Sequence, residues 1–352
     1  MSNSANGPVI LSRYLALAWF GLVVYGSLHP FSGWRMTGAA PLAFIEAEWP
    51  RYWTYFDLLA NVAVYLPLGF FLTLALRRLP WRYTAPILAI LLSGSLSLAL
   101  EAVQNWLPSR VPSSLDLLCN TLGGLIGAVA AQHGGPRLFA RIALLEKQLL
   151  APVPHAELGL TVLGLWLLVP LSPETWLFGA GDFRALISFQ APIPFSADRF
   201  ALIEAAVAGC NALAVGLILR RLIKRVWLAY VLVPLFLLLG LTIRTLGAAV
   251  LIGPAESLAW LTPGAGQGLL GGLLALSLSL WLPARLSLLL AMLALVAGTL
   301  ILNLAPGNPY SEAALAAWRQ GHFLNFNGLT RLVASLWPFL ALPFLFLTLQ
   351  RR

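Results

Sequence analysis

Residues 56–76 read FDLLANVAVYLPLGFFLTLAL, an apolar run that contains one carboxylate and one side-chain amide. About 20 apolar residues form a helix long enough to cross a ~30 Å hydrocarbon core. The 352-residue chain is 59% hydrophobic and 10% charged, whereas soluble domains are about 25% charged. Ten such runs are present, at about 14–31, 56–77, 85–105, 114–132, 157–172, 200–219, 227–251, 265–283, 286–304 and 332–350. The sequence therefore predicts an all-α protein, a polytopic membrane bundle of about ten transmembrane helices.

The positions of Lys and Arg predict the orientation of this bundle, because cytoplasmic loops carry an excess of both. With a cytoplasmic N-terminus, 14 of the 22 basic residues fall in inner segments, seven in outer segments, and Arg244 within the seventh run. Both termini are therefore predicted to be cytoplasmic. The net charge of +9 reflects this bias. We expect no nucleic-acid partner, since the basic residues are dispersed over several short loops.

The chain partly repeats itself after about 143 residues. Leu122–Leu125 reads LGGL, as does Leu270–Leu273, and the double arginine at 77–78 aligns with the one at 220–221. A shorter third copy follows near the C-terminus. We therefore predict helices grouped as 4+4+2, within residues 1–150, 151–284 and 285–352. The alternative is a chance similarity between helices rich in Leu, Gly and Ala.

The second copy has lost the polar side chains of the first. The aligned positions are Asp57 with Ala201, Asn61 with Ala205, Glu101 with Arg244, Asp116 with Gly264 and Asn120 with Gly268. We therefore expect the function to lie in residues 1–150.

Six polar side chains lie on the second, third and fourth runs, in three pairs that each share a helix face. The pairs are Asp57/Asn61, Glu101/Gln104 and Asp116/Asn120. In the predicted topology they converge near the outer membrane–water boundary, beside Arg110 and Ser113 of the adjoining loop. A carboxylate within a membrane costs at least about 2.5 kcal/mol. These groups therefore predict a functional site.

The chemistry of this site has several open interpretations. Carboxylate oxygens suit a divalent cation, or Arg110 binds an anionic headgroup while a carboxylate moves a proton. The structural alternative is a hydrogen-bond network between helices. Asp57 and Asp116 also fit ordinary helix N-termini, with Ser113 or Ser114 as the cap, but that explains Glu101 and the amides poorly.

One ordered set of motifs resembles the VanZ-like family over about residues 15–132. The set is Asp57-x-x-x-Asn61, Pro67-Leu68-Gly69, Glu101-x-x-Gln104, Arg110, Ser113 and Asp116-x-x-x-Asn120-x-x-Gly123. The resemblance implies a multi-pass protein of the bacterial cytoplasmic (inner) membrane. It also implies an association with lowered susceptibility to teicoplanin-type glycopeptides, and for longer relatives a setting near exopolysaccharide assembly. It implies no defined molecular activity.

The resulting functional hypothesis is an outward-facing pocket that binds or processes an anionic lipid or a lipid-linked glycan. Arg110 contacts the anion, and Asp57, Glu101 and Asp116 hold a cation or act as catalytic acid and base. The other candidate side chains orient them: Asn61, Gln104, Ser113 and Asn120. The alternatives are a lipid or solute transporter or flippase, and a non-catalytic scaffold with envelope-assembly partners.

Three further features have simpler interpretations. Residues 264–268 read GAGQG, but no strand precedes them and they open an apolar helix, so we expect helix packing and no nucleotide cofactor. Glu204 and Arg244 are predicted to form an ion pair. An interfacial helix at Ser311–Gln320 is predicted in the last outer loop, where His322, Asn325, Asn327 and Arg331 are expected to cover the site.

Overall fold

A computed structural model describes residues 7–36, 38, 40–49, 53–172, 175–184, 194–308 and 324–350. Within these ranges the protein is helical, with one isolated antiparallel bridge between Leu150 and Ile223 and no strand. The α-helices are α1 Gly7–Leu28, α2 Tyr55–Ala75, α3 Thr84–Gln104, α4 Ser114–Leu149, α5 Ala156–Trp166, α6 Ala197–Leu222, α7 Val226–Leu251, α8 Pro263–Ser279, α9 Ala284–Leu304 and α10 Leu324–Gln350. The predicted all-α membrane class is confirmed.

Eight of the described helices are long and apolar enough to cross a membrane. Each of the ten predicted runs coincides with a helix, but α5 has 11 residues and α8 has 17. The chain leaves α5 after Trp166 in a series of turns. Pro263 begins α8 and Pro283 follows its end, the two positions at a helix boundary where proline is favoured. The count of ten spanning helices is therefore not confirmed, and the 4+4+2 grouping stays a prediction.

Helix α4 is much longer than its apolar run. It has 36 residues, about 54 Å at a rise of 1.5 Å per residue, whereas the part suited to the membrane is Ser114–Gly135. Residues 137–149 read RLFARIALLEKQL, and Leu, Ala, Arg, Glu, Lys and Gln are strong helix formers. Local propensity therefore carries the helix past the end of the apolar run.

The chain divides into two compact units, residues 1–146 and 147–352. In the first unit, Val23, Tyr65, Leu68 and Leu100 form a buried core between α1, α2 and α3. The Trp19 indole N–H donates to the carbonyl of Val64 at 2.7 Å and ties α1 to α2. The predicted further division of the second unit at residue 284 stays a prediction.

Glycines allow α2 and α4 to touch backbone to backbone. A Cβ on Gly69 would overlap the carbonyl of Gly124, and one on Gly127 would overlap the carbonyl of Leu66. Small residues permit such close approach where lipid offers no hydrophobic drive for association. The first unit is thus held by packing that only glycine allows.

The second unit uses the same device between α6 and α8. A Cβ on Gly264 would lie 2.6 Å from the Ala201 carbonyl oxygen, and Gly268 faces the Ala205 carbonyl. The expectation that the GAGQG segment serves helix packing is confirmed. Ser311–Gln320 and His322, assigned to the last outer loop, lie outside the described residues, as do the side chains of Asn325 and Asn327.

We predict that Gly127→Ala lowers the stability of the protein by about 1–3 kcal/mol, because the methyl group forces α2 and α4 apart. Gly134→Ala is the matched control: Gly134 lies in α4, and a methyl group added there would meet no atom within 4 Å, while Ala is the better helix former by about 1 kcal/mol. Thermal unfolding of both purified variants checks this. Equal melting temperatures would contradict the close approach of the two helices.

Candidate functional site

The C-termini of α1 and α3 meet the N-termini of α2 and α4 at one end of the first unit. We call this region the polar end; it comprises residues 26–29, 54–61, 101–113 and 116–120. Two hydrogen bonds close it. Asn61 Nδ2 donates to Asp116 Oδ1 at 2.8 Å, and Gln104 Nε2 donates to the Ser27 carbonyl at 3.0 Å.

Asp57 is exposed and starts its own helix. Its backbone N–H donates to Thr54 Oγ1 at 3.1 Å, and its Oδ2 accepts from the Thr54 N–H at 3.0 Å and the Thr54 hydroxyl at 2.7 Å. This is a capping box, which satisfies N–H groups that a helix start leaves unpaired. The role of Asp57 at the start of α2 therefore explains the hydrogen bonds of one carboxylate oxygen, Oδ2.

Asp116 differs from Asp57 because its carboxylate reaches another helix. It lies in the first turn of α4 and is half-buried, and its Oδ1 accepts from Asn61 of α2. Asp57 lies close enough to Asp116 for their like charges to interact. The structure thus brings Asp57, Asn61 and Asp116 together, on two helices that the sequence separates by more than 50 residues.

Glu101 of α3 accepts a hydrogen bond from the residue that precedes α4. Its side chain is 4% exposed, and Oε2 accepts from the Ser113 backbone N–H at 2.9 Å. Ser113 Oγ in turn accepts from the N–H groups of Leu115 at 3.1 Å and Asp116 at 3.4 Å. Ser113 is therefore the α4 cap, and Glu101 positions the cap that precedes Asp116.

Asn120 lies one turn deeper than Asp116 and is buried. Its Nδ2 donates to Ser97 Oγ on α3 at 3.0 Å. Ser97, Glu101 and Gln104 share one buried face of α3 together with Ser93. The i, i+4, i+8, i+11 spacing of this stripe is visible in the sequence, and it is the signal that could have identified Ser93 and Ser97.

Arg110 is fixed by backbone carbonyls. Its Nη2 donates to the carbonyl oxygens of Gly26 at 2.8 Å and His29 at 3.1 Å, at the end of α1. Burial lowers the pKa of the Arg110 guanidinium, and the nearby carboxylates of Glu101 and Asp116 oppose that shift. Among the described residues neither carboxylate approaches within ion-pair distance of Arg110. The guanidinium therefore lies near two carboxylates without a direct contact.

The match to known families falls on this region. Residues 13–135 match the family model described as VanZ/LLP1. The first unit is VanZ-like. This confirms the resemblance drawn from the ordered motifs, and it covers about a third of the chain. No curated protein and no solved structure matches the chain significantly.

The loop between α1 and α2 lies against the loop after α3 in the VanZ-like unit. The Arg35 N–H donates to the Trp106 carbonyl at 3.0 Å, and Asn105 Nδ2 donates to the Pro41 carbonyl at 2.8 Å. Neither Asn105 nor Thr54 was among the residues singled out from the sequence. Thr54 precedes Asp57 by three residues at the start of an apolar run, a capping-box spacing that could have identified it. Asn105 bonds to backbone carbonyls, and such contacts leave no sequence pattern.

The positions of the possible ligand side chains bear on whether the VanZ-like unit holds a metal ion. In the described part of the chain, no group of three or more His, Cys, Asp or Glu side chains is placed to hold a metal ion. Asp57, Glu101 and Asp116 are instead bonded to three different partners: Thr54, Ser113 and Asn61. Their roles as catalytic or cation-holding groups stay predictions.

The predicted Glu204–Arg244 ion pair is wrong. Glu204 accepts from the Thr262 hydroxyl at 2.6 Å. Arg244 donates to the carbonyls of Ser172 and Thr175. Both side chains are buried in the second unit, but each bonds to a different segment distant in sequence. The described residues place no contact ion pair between them. Similar depth in neighbouring helices did not imply that the two side chains face each other.

We predict that Glu101→Gln changes the stability of the VanZ-like unit little, whereas Glu101→Leu lowers it by about 1–3 kcal/mol. A glutamine oxygen still accepts from the buried Ser113 N–H, but leucine leaves that donor unsatisfied. Gln and Leu side chains have similar volumes, so thermal unfolding of the two variants measures the stability that the Ser113 contact contributes. Equal losses would show that the Ser113 contact does not hold the cap.

Proposed function

We propose that the VanZ-like unit binds an anionic amphiphile at its polar end, either an anionic lipid or a lipid-linked glycan. The headgroup contacts Arg110, and the acyl or prenyl tail stays in the membrane. The observation that supports this most directly is Arg110 itself, which two carbonyls hold in place beside Asp116 without a contact ion pair.

Arg110 has donors left for a ligand. A guanidinium carries five N–H groups in a planar fork, and among the described residues only Nη2 of Arg110 has hydrogen-bond acceptors. The remaining nitrogens suit the paired oxygens of a phosphate or carboxylate. Because the side chain is already immobilised, it loses little conformational entropy when an anion binds.

The polar groups beside Arg110 suit hydroxyl-bearing headgroups. Asn61 and Asp116 are half-buried and Asp57 is exposed, so all three remain accessible while Glu101 and Asn120 are buried. Carboxylates accept and amides both accept and donate hydrogen bonds, which matches the hydroxyls of a sugar. Asp116 is the carboxylate we expect to contact the headgroup, since Oδ2 of Asp57 is committed to Thr54.

The depth of the site suits an amphiphile. Exposed aromatic side chains occur along the loop that enters the polar end: Phe31, Trp34, Trp49, Trp53 and Tyr55. Trp and Tyr concentrate at membrane–water interfaces. In the predicted orientation this interface faces outward from the bacterial cytoplasmic membrane. Any role in glycopeptide resistance or exopolysaccharide assembly would then act through lipid-linked envelope intermediates.

We predict that native mass spectrometry of the detergent-extracted protein detects a bound lipid or lipid-linked glycan that Arg110→Gln loses. Removing the guanidinium removes the anion contact and should lower occupancy at least about tenfold, since a charged hydrogen bond is worth ~1.5–3 kcal/mol. Asp116→Asn should reduce occupancy less, because the amide still bonds to hydroxyls.

Arg199→Gln is the matched control, since Arg199 is an exposed arginine at the start of α6 whose Nε donates to Ser196 Oγ at 3.0 Å. It should keep the wild-type adduct. Wild-type occupancy in folded Arg110→Gln would refute the proposal. A loss of adduct that only follows the loss of melting temperature across variants would favour the scaffold interpretation.

A further inference from the structure

We propose that the interior of the VanZ-like unit, below the polar end, is a binding site for a monovalent alkali cation such as Na⁺. Its ligands are side-chain oxygens of Tyr65, Ser97, Glu101 and Asn120, from α2, α3 and α4. The inference concerns a deeper part of the bundle than the headgroup site and does not depend on lipid binding.

The first argument is the charge of Glu101. Its side chain is 4% exposed within a membrane-spanning helix, and removal of a carboxylate from water costs several kcal/mol unless the charge is compensated. Its hydrogen-bond partner is one backbone N–H, that of Ser113. The charged groups nearest to it are Arg110 and Asp116. Arg110 is bound to carbonyls of α1, and among the described residues Glu101 has no contact ion pair.

The second argument is a set of incompletely bonded oxygens in the helical bundle that contains Glu101. The Tyr65 hydroxyl, Ser93 Oγ and Asn120 Oδ1 are buried and have no hydrogen-bond partner among the described residues. Tyr65 is 2% exposed, Ser93 0% and Asn120 6%. Buried polar atoms are normally paired, so the Tyr65 hydroxyl and Asn120 Oδ1 are available to a ligand.

Asn120 of α4 and Tyr65 of α2 both approach the buried face of α3 that carries Ser97 and Glu101. Asn120 turns its Nδ2 to Ser97 Oγ at 3.0 Å, which brings its amide against that face of α3. The Tyr65 hydroxyl lies beside Ser97, and Glu101 is close enough to Tyr65 for its charge to act there. Ser97 and Glu101 are one turn apart on the same buried face. Ser93 lies one turn deeper.

The ligand set favours a monovalent cation. One carboxylate balances one positive charge, so the bound pair is neutral within the membrane. A divalent ion normally recruits several carboxylates, and no group of three acidic, His or Cys side chains is present among the described residues. If Glu101 were protonated, its O–H could donate a hydrogen bond to one of the unpaired oxygens only. An alkali cation is coordinated by several hydroxyl and carbonyl oxygens at once.

Such a cation would act on the polar end through Glu101. A bound cation would compensate the Glu101 charge and so stabilise the buried carboxylate that accepts from the Ser113 N–H. Ser113 caps α4, the helix that carries Asp116. Cation binding and the order of the α4 N-terminus would then be coupled.

The test is thermal unfolding of the purified full-length protein in NaCl and in choline chloride at equal ionic strength. We expect Tm to rise with the logarithm of the NaCl concentration above Kd, by about 2 °C at a concentration ~10-fold above Kd. Glu101→Gln should abolish the rise. Tyr65→Phe removes one ligand oxygen and keeps the ring, so it should shift the onset of the rise to several-fold higher Na⁺. Retention of radioactive Na⁺ by the purified protein gives a second readout.

Asn211→Ala is the matched control, since Asn211 is a fully buried asparagine of α6 whose Oδ1 is also unpartnered among the described residues. It should change the basal Tm and leave the Na⁺ response intact. Three results would overturn the proposal: identical wild-type Tm in both salts, an unchanged Na⁺ response in Glu101→Gln or Tyr65→Phe, or stabilisation by acidification alone. None of these readouts involves lipid, so the Na⁺ proposal and the headgroup-binding proposal can be refuted separately.

Discussion

The first unit depends on the requirement that a carboxylate and several amides inside a membrane find their hydrogen-bond partners within the bundle. Lipid supplies none, and each unsatisfied group costs several kcal/mol. The Ser113 N–H gives Glu101 one such bond, Asn61 gives Asp116 one, and Ser97 accepts from the Nδ2 of Asn120. These bonds join α2, α3 and α4, so the groups that define the candidate site also fix the positions of the helices that carry it.

Arg110 shows how the same constraint shapes binding. A basic side chain next to carboxylates would be expected to form an ion pair, yet it binds the carbonyls that end α1. Those carbonyls have no partner within their own helix. By satisfying them, Arg110 stays charged and fixed while the carboxylates bind elsewhere. The site therefore keeps its positive charge available for an anion.

The two units share a packing device and differ in their polar groups. Glycines bring α2 against α4, and glycines bring α6 against α8. In the second unit Gly264 and Gly268 stand where the predicted repeat aligns Asp116 and Asn120. There the arginine Arg244 binds the Ser172 and Thr175 carbonyls. Close packing is thus compatible with either a polar or an apolar helix interface, which agrees with function residing in the first unit.

The sequence by itself determined the membrane class, the helix positions and the three polar pairs of the first unit. Those features follow from composition and from the 3.6-residue period, which are local properties of a chain. The count of ten spanning helices is not confirmed, because α5 and α8 have apolar sequences but only 11 and 17 residues. Only the tertiary structure decided which groups meet: that Asp57 caps its own helix, that Asp116 bonds to Asn61, and that Glu204 and Arg244 bind different partners. Periodicity assigns a residue to a helix face, but the rotation of each helix is fixed by glycine contacts and backbone hydrogen bonds between distant segments.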